Sequence, residues 1–358
     1  MRLRKLFEYE DLSAAQEKIM STISGLSADN EEDAKILDKI YKILNSGQIG
    51  DNVANAFLVP LDGEPLSDKE KTLIIQDLTK IIAGSDSDLK QMNEMTAQLA
   101  KGGVIDIGAL DSPLTSFSNV FTHPSAITAF HDLKNYGTGK KQKGPGEYAL
   151  ACLSSKIKLA SGEGDLEVDG IGKVELKSAV SSTGGRIGYG GGSQKAKRAV
   201  LDKFAQANGL ETIIGSIGGK GGSLGLGPFV KALAIDLPLT DPNSRAIRKA
   251  LMSELLSMDL DNFANNIVSA FETSDDIVKI EDAYLTANFL WYKNRDAFDA
   301  LLLCSFPNQK FAMIKNESDL IKFRRGGHAA STSISIIPTQ AGAGREQWAQ
   351  LTLNKANG

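Results

Sequence analysis

Two carboxylates and one amine stand close together in the segment GEGDLEVDGIGKVELKSA, residues 162–179, as Asp165, Glu175 and Lys177. The Asp-Gly pair between two short alternating apolar runs is a strong signal for a β-hairpin. To build one core, the apolar residues of both strands must share a face, which requires pairings such as Leu166 with Val174. The same register places Asp165 opposite Glu175 and puts Lys177 on their face. The hairpin is therefore predicted to gather these three side chains on the face that does not form the core.

Such a cluster is suited to metal-assisted chemistry. Two carboxylates directly opposite each other on neighbouring strands repel, and a bound divalent cation removes that penalty. Mg²⁺ prefers oxygen ligands, keeps several waters and uses one or two carboxylates together with a substrate phosphate. Lys177 could then orient the attacking water or stabilise the charge that develops on phosphorus. An exposed hairpin face that only carries solvated charges would show the same residue types, so the pattern alone leaves both interpretations open.

A helix and further strands are predicted around the hairpin. The segment EYALACLSSKIKL, residues 147–159, is predicted as one helix that begins at Glu147, directly after GPG. The apolar segments FDALLLCSF and KFAMI, residues 298–306 and 310–314, are predicted as later strands. Residues 210–218 are predicted as another strand, and residues 229–238 as a strand or a buried segment.

The order of these residues resembles the PD-(D/E)XK nuclease superfamily. An Asp, about ten residues, then Glu-x-Lys at the end of an apolar strand reads here as GDLEVDGIGKVELK, and a glutamate stands at the start of the preceding helix. The resemblance covers roughly residues 144–180 and extends more loosely to the two later strands. Two features depart from the pattern: Gly164 stands where proline is common, and Gln194 lacks the tyrosine that accompanies it in RecB-like exonucleases.

The resemblance implies a restriction-endonuclease-like α/β core and a Mg²⁺-dependent DNA endonuclease, in which a carboxylate-bound metal activates water. It implies that Glu147, Asp165 and Glu175 hold the metal, for which Mn²⁺ can substitute, and that Lys177 assists the attack. The expected products carry 5′-phosphate ends.

The chain is predicted to be an α/β protein in three parts. Residues 1–136 are expected to form a helical domain, residues 137–340 a nuclease core with a Gly-rich and helical insertion at about 180–280, and residues 341–358 a loose tail. Of the 35 glycines, 22 lie between residues 137 and 227, and the basic linker GTGKKQKGPGE marks the first boundary. A length of 358 residues agrees with more than one domain.

Charge is distributed unevenly. Residues 1–133 hold 12 basic and 21 acidic residues, a balance of −9, whereas residues 134–231 hold 15 and 8, a balance of +7. A local basic excess suits a protein that binds a polyanion, although chance clustering on solvated faces is the alternative. The side chains expected to contact DNA phosphates or bases are Arg186, Tyr189, Lys195, Lys197, Arg198, Arg324 and Arg325.

Other interpretations remain open at this stage. A non-enzymatic virion or assembly protein would use the acidic helical region, and an RNA nuclease or a structure-specific nuclease could use the same active site. We expect a phage-encoded protein, and a homodimer would explain double-strand cutting. No run of 18 apolar residues and no apolar stretch behind the charged N-terminus are present, so we expect no membrane span and a cytoplasmic location, in the host cell or the virion.

Overall fold

The computed structural model of the chain describes residues 31–45, 49–50, 68–86, 88–135, 144–160, 162–179, 184–187, 194–216, 223–257, 261–326, 334–337 and 349–352. The chain divides into two compact units. The first consists of Met1–Ser182 with Phe298–Met313, and the second of Thr183–Ala297 with Ile314–Gly358. The N-terminal helices thus share a unit with the hairpin, whereas the glycine content suggests a boundary near residue 136.

The fold is mixed α/β, as expected. The helices are α1 (Glu31–Asn45), α2 (Asp68–Ala83), α3 (Leu89–Ala100), α4 (Ile107–Leu110), α5 (Phe117–Val120), α6 (Pro124–Leu133), α7 (Glu147–Leu153), α8 (Gln194–Asn208), α9 (Glu211–Ser216), α10 (Leu226–Asp236), α11 (Pro242–Ser257), α12 (Asn265–Thr273), α13 (Ile277–Asp296) and α14 (Glu317–Arg325), with a 3₁₀ helix at Asp261–Ala264. The strands are β1 (Thr115–Ser116), β2 (Ile157–Leu159), β3 (Leu166–Val168), β4 (Gly172–Ala179), β5 (Gly184–Ile187), β6 (Leu224–Gly225), β7 (Ala300–Ser305), β8 (Lys310–Ile314), β9 (Ser335–Ile337) and β10 (Ala349–Thr352). Among the described residues, no helix has both the length and the apolar character needed to cross a membrane.

The amphipathic helices expected in the N-terminal region are confirmed as α1, α2, α3 and α6. Helix α1 buries Ile36, Ile40 and Leu44, which are four residues apart and therefore form one stripe. Helix α3 begins after Asp88, whose carboxylate accepts the backbone N–H of Lys90 at 2.8 Å. The buried stripes of these helices join the core that lies under the sheet of the first unit.

The main sheet has six strands in the order β1-β8-β7-β4-β3-β2. Strands β2, β3 and β4 are successive antiparallel neighbours, and β1 pairs antiparallel with β8. Strand β7 lies parallel to β4, with Val174 beside Ala300 and Glu175 beside Leu301. A parallel pair needs a long connection, and the 120 residues from 180 to 299 provide it.

The two faces of this sheet differ in chemistry. Leu166, Val174 and Leu302 belong to the buried core of the first unit, together with the stripes of the N-terminal helices. The pairing of Leu166 with Val174 confirms the hairpin register predicted from the sequence. Because side chains alternate along a strand, Asp165 and Glu175 lie on the other face.

Asp299 holds the start of β4 against the start of β7. Its N–H donates to the carbonyl oxygen of Lys173 at 2.8 Å, and its Oδ2 accepts the N–H of Lys173 at 2.8 Å. Gly172, which precedes Lys173, has a φ of +104°, and a Cβ there would overlap Oδ2 of Asp299. This close approach fixes the parallel register that places Glu175 beside Leu301.

The second unit has a core of its own, organised around a buried arginine. Arg248 on α11 is almost completely inaccessible, and its guanidinium donates to the carbonyl oxygens of Leu237 at 2.7 Å and Leu233 at 3.0 Å, and to Oδ1 of Asp275 at 2.7 Å. The carbonyls at the end of α10 are thereby satisfied, since buried polar groups require hydrogen-bond partners.

The structure differs from the sequence prediction at four segments. The helix predicted over residues 147–159 ends at Leu153, and its last residues form the edge strand β2. The segment 210–218, expected as a strand, contains helix α9, where Asp236 accepts N–H groups of the first turn. The segment 229–238, expected as a strand or a buried segment, belongs mostly to the buried helix α10, because a short apolar run does not distinguish the two. Part of the tail expected to be loose, residues 349–352, pairs antiparallel with β5.

Replacing Gly172 by alanine is expected to lower the free energy of unfolding by roughly 3 kcal/mol, since the left-handed backbone and the overlap with Asp299 both oppose a Cβ. Gly170→Ala is the matched control: Gly170 has a φ of +79°, yet no atom lies within 4 Å of its Cβ position. We expect a loss of about 1–2 kcal/mol there. Urea unfolding of both variants measures the difference, and equal losses would contradict the tight contact with Asp299.

Candidate active site

The β3–β4 hairpin sets the positions of the chemically active side chains. Its turn closes through a hydrogen bond from the N–H of Ile171 to the carbonyl oxygen of Val168, 3.0 Å long, with Gly170 and Gly172 at positive φ. Both glycines adopt the left-handed conformation that side chains with a Cβ rarely accept. The predicted Asp-Gly turn is therefore confirmed, with Asp169 inside it.

Asp165 extends the hairpin by one residue beyond β3. Its N–H donates to the carbonyl oxygen of Val174 at 3.0 Å, and its Oδ2 accepts the N–H of Leu176 at 2.8 Å. The N–H of Leu176 is therefore bound by a side-chain carboxylate in place of a backbone carbonyl oxygen of the neighbouring strand. Because Oδ2 is held by this bond, the half-buried carboxylate is fixed beside β4, on the face that carries Glu175.

Glu175 and Lys177 form an ion pair on β4, between Oε1 of the glutamate and Nζ of the lysine. The Glu175 side chain is only 9% exposed, while that of Lys177 is 29% exposed. Their neighbours on β7 are the buried side chains Leu301 and Leu303. An apolar surrounding with little water strengthens the attraction between the two charges, so the ammonium compensates the cost of burying the carboxylate.

Glu147 begins helix α7, as the sequence predicts, and is 2% exposed. Its Oε1 accepts the N–H of Gly144. The helix start is held tightly, because Gly146 has a φ of +94° and its Cβ position lies 3.3 Å from the ring of Phe306 and 3.4 Å from that of Phe130. A carboxylate at a helix N-terminus is favoured by the helix dipole, which gives Glu147 a structural role in addition to the one predicted.

The donor set of the hairpin suits a hard divalent cation. Asp165 and Glu175 offer carboxylate oxygens from adjacent strands, which match the ligand preference of Mg²⁺ for one or two carboxylates completed by water and phosphate. In the described part of the chain, the carboxylate of Asp165 accepts the N–H of Leu176, and that of Glu175 accepts the ammonium of Lys177. Among the described residues, no group of three His, Cys, Asp or Glu side chains is close enough to hold a metal ion, so a third carboxylate does not complete this pair.

The side chains predicted to bind DNA belong to the second unit, and the structure places them unequally. Lys195 is exposed on α8, Arg198 is half-buried, and Arg325 is 72% exposed with Asp282 at 3.6 Å. Arg186 lies on β5, but its side chain is outside the described part of the structure, and Tyr189 is outside the described residues altogether.

Two of these predicted contacts need correction. Lys197 is 1% exposed, so its ammonium is not presented to a phosphate backbone. Arg324 pairs with Glu281 and Asp282 and also donates to the carbonyl oxygen of Val278 at 3.0 Å. Its guanidinium therefore holds α14 to α13 instead of projecting into solvent. The sequence around an arginine in an amphipathic helix does not show whether it pairs with another helix. That depends on how the two helices pack in the folded protein.

Sequence reasoning missed the lysines before and within β2, and the residues that hold β4. The alternation Lys156, Ile157, Lys158 and Leu159 is a strand signal that the preceding helix obscures. Lys173 is bound by Glu163 at 2.6 Å, and this hydrogen bond, together with the charges of Glu163, Asp299 and Glu167, raises the pKa of Lys173. Lys173 therefore stays cationic over the whole physiological pH range.

Asp165→Ala is expected to destabilise the protein by about 1–3 kcal/mol, because it removes the acceptor for the N–H of the nearly buried Leu176. Asp165→Asn keeps an oxygen acceptor of the same size, and we expect its loss to stay below about 1 kcal/mol. Guanidinium unfolding of both variants provides the measurement. If the asparagine variant lost as much as the alanine variant, the hydrogen bond to Leu176 would not be the reason for the cost.

Comparisons of the chain with protein-family models, with curated proteins and with solved structures yield no match. The functional interpretation therefore depends on the residues of the hairpin and their geometry.

Proposed function

We propose that the protein is a Mg²⁺-dependent DNA endonuclease that hydrolyses phosphodiester bonds. One observation supports this most strongly: the register of β3 and β4 holds two carboxylates, Asp165 and Glu175, on one sheet face with Lys177 paired to the second of them. Chemistry at phosphorus needs neutralised oxygens, a bound cation and an activated water, and this donor set suits those needs.

Asp165 and Glu175 would hold the cation. Glu147, the third ligand implied by the family resemblance, does not form a group of three with them among the described residues. Mg²⁺ supplies charge neutralisation at the phosphate and acidifies water, and Mn²⁺ would substitute for it. Asp165 is held in place by the N–H of Leu176, which preserves its position in the absence of substrate. Glu175 is held by Lys177, so both carboxylates are oriented before any ligand binds.

Lys177 would act on the substrate. Its ammonium is partly exposed beside a nearly buried carboxylate, so it is cationic and accessible at the same position. A fixed positive charge near a phosphate stabilises the negative charge that develops on the oxygens in the transition state. Lysine carries three N–H donors, and one of them is directed to Glu175.

The order of elements supports a restriction-endonuclease-like core as the finer description of the fold. The family implies the order helix, strands, helix, strand. Helix α7, strands β2 to β4, the helices between β4 and β7, and the parallel strand β7 agree with it. The segment between β4 and β7 would then be the insertion, and Lys195, Arg198 and Arg325 would supply additional DNA contacts from it and from α14. A homodimer and a phage origin belong to the same proposal.

We expect that Asp165→Asn, Glu175→Gln and Lys177→Met each reduce the cleavage of supercoiled plasmid in Mg²⁺ by at least about 100-fold, because each removes charge from the reacting centre. The matched controls are Glu31→Gln and Lys35→Met, which break an exposed ion pair of 2.7 Å on α1. These controls should cleave like the unmodified protein.

The same assay separates the alternatives. Faster cleavage of RNA or of branched DNA would assign the site to another nucleic acid. Absence of Mg²⁺-dependent cleavage on plasmid, single strands, branched DNA and RNA would overturn the proposal and favour a non-enzymatic assembly protein.

A further inference from the structure

The face that carries Asp165 and Glu175 continues towards the edge of the sheet as a row of charged side chains. In the strand register, Lys158 on β2 stands opposite Glu167 on β3, and Glu167 stands opposite Lys173 on β4. Lys156 continues the ladder, because its carbonyl oxygen accepts the N–H of Asp169 at 2.9 Å. Since residues two apart share a face, Lys156 and Lys158 lie on the same side as the carboxylates.

Lys156 and Lys158 are both exposed, and neither forms an ion pair with any residue that the structure describes. Lys173, by contrast, is bound by Glu163 at 2.6 Å. The ammonium groups at this edge of the sheet are thus not held in ion pairs, although Glu167 stands beside Lys158 and Asp169 beside Lys156. Such groups attract an anion without first breaking an internal ion pair.

Exposure on this face decreases from β2 to β7, although Lys173 and Lys177 on β4 stay 41% and 29% exposed. Lys158 and Glu167 are exposed, Asp165 is half-buried, Glu175 is 9% exposed, and Leu301 on β7 is completely buried. Within the part of the chain that the structure describes, the face is therefore open on the β2 side and closed on the β7 side. A large ligand that approaches Glu175 from the open side extends over β2 and β3.

The spacing suits a phosphate backbone. Lys158 and Glu167 lie two residues along the strands from the level of Asp165 and Glu175, which corresponds to about 7 Å. Lys158 also lies one strand, about 5 Å, to the side of Asp165. Their separation across β2 and β3 is of the order of that between successive phosphates of one DNA strand, because the rise of about 3.4 Å per nucleotide is accompanied by rotation about the axis. A phosphate held at the carboxylates would thus have neighbours near the lysines.

We propose that the backbone of duplex DNA lies across β2 and β3, with Lys156 and Lys158 neutralising phosphates next to the one that is cleaved. The proposal rests on the proposed nuclease function, since it assigns the substrate contacts of the same site. Lysine binds phosphate as a point charge and carries no base preference, so these contacts position the substrate without selecting a sequence. Glu167, exposed between Lys158 and Lys173, opposes binding at the same surface.

The test is the salt dependence of DNA binding, measured by fluorescence anisotropy with a labelled duplex in Ca²⁺, which takes oxygen ligands as Mg²⁺ does. Each phosphate contact contributes about 0.9 to the slope of log K against log salt concentration. Lys156→Gln/Lys158→Gln should therefore reduce the slope by about 2 and weaken binding at least about tenfold at low salt. The matched control is Lys39→Gln/Lys90→Gln, on helices α1 and α3, which pack on the core side of the sheet and should leave the slope unchanged.

The variant Glu167→Gln tests whether the row of charged side chains binds DNA or only stabilises the hairpin. If the row binds DNA, removing the negative charge should strengthen binding by a few fold, in the direction opposite to the lysine variants. If the row only stabilises the hairpin, binding should be unchanged in Glu167→Gln and in the double lysine variant, and that result would overturn the proposal.

The outcome is distinguishable from that of the cleavage assay. If the protein cleaves plasmid but its DNA affinity does not depend on Lys156 and Lys158, the nuclease function is retained and this surface is rejected. Lysine-dependent binding without any cleavage would retain the surface and reject the nuclease. Tighter lysine-dependent binding of single strands or RNA would reject duplex DNA as the ligand.

Discussion

The candidate site depends on the antiparallel pairing of β3 with β4. Side chains alternate strictly along a strand, so a shift of the register by one residue would turn one of the two strands over and place either Asp165 or Glu175 in the core. The pairing of Leu166 with Val174 is enforced by apolar burial on the other face. The free energy that aligns the two carboxylates therefore comes from residues that take no part in their chemistry. Two mutually repelling groups can be held together because the core outweighs their repulsion.

Electrostatic compensation is the second requirement of the site. Glu175 is nearly buried, and an isolated carboxylate in such a place would be costly. The ammonium of Lys177 lowers that cost, while Asp165 obtains its compensation from the N–H of Leu176. Each carboxylate is thus stabilised by a different donor, one charged and one neutral. Lys177 consequently contributes both to folding and to the proposed chemistry. The hydrogen bond of Asp165 does not need the charge, so Asp165→Asn is expected to retain it.

Local patterns predicted the hairpin well, because turn chemistry and alternation are encoded in adjacent residues. The register, the Asp169–Gly172 turn and the start of α7 at Glu147 were all accessible in this way. Features that depend on contacts distant in sequence were not predicted. Strand β2 was obscured by the helix before it, and α10 has a short apolar run whose period does not distinguish helix from strand. The burial of Lys197 and the pairing of Arg324 with α13 depend on tertiary contacts, which composition and spacing do not report.

The parallel neighbour of β4 has a consequence for biosynthesis. Strand β7 begins 120 residues after β4 ends, so a ribosome adding about 5–20 residues per second needs roughly ten seconds to supply it. During that interval the emerging polypeptide contains the carboxylates but lacks Asp299, Leu301 and Leu303. Glu175 is then far better hydrated than in the finished molecule. The buried surroundings of Glu175 thus form late, after translation has passed the segment between β4 and β7.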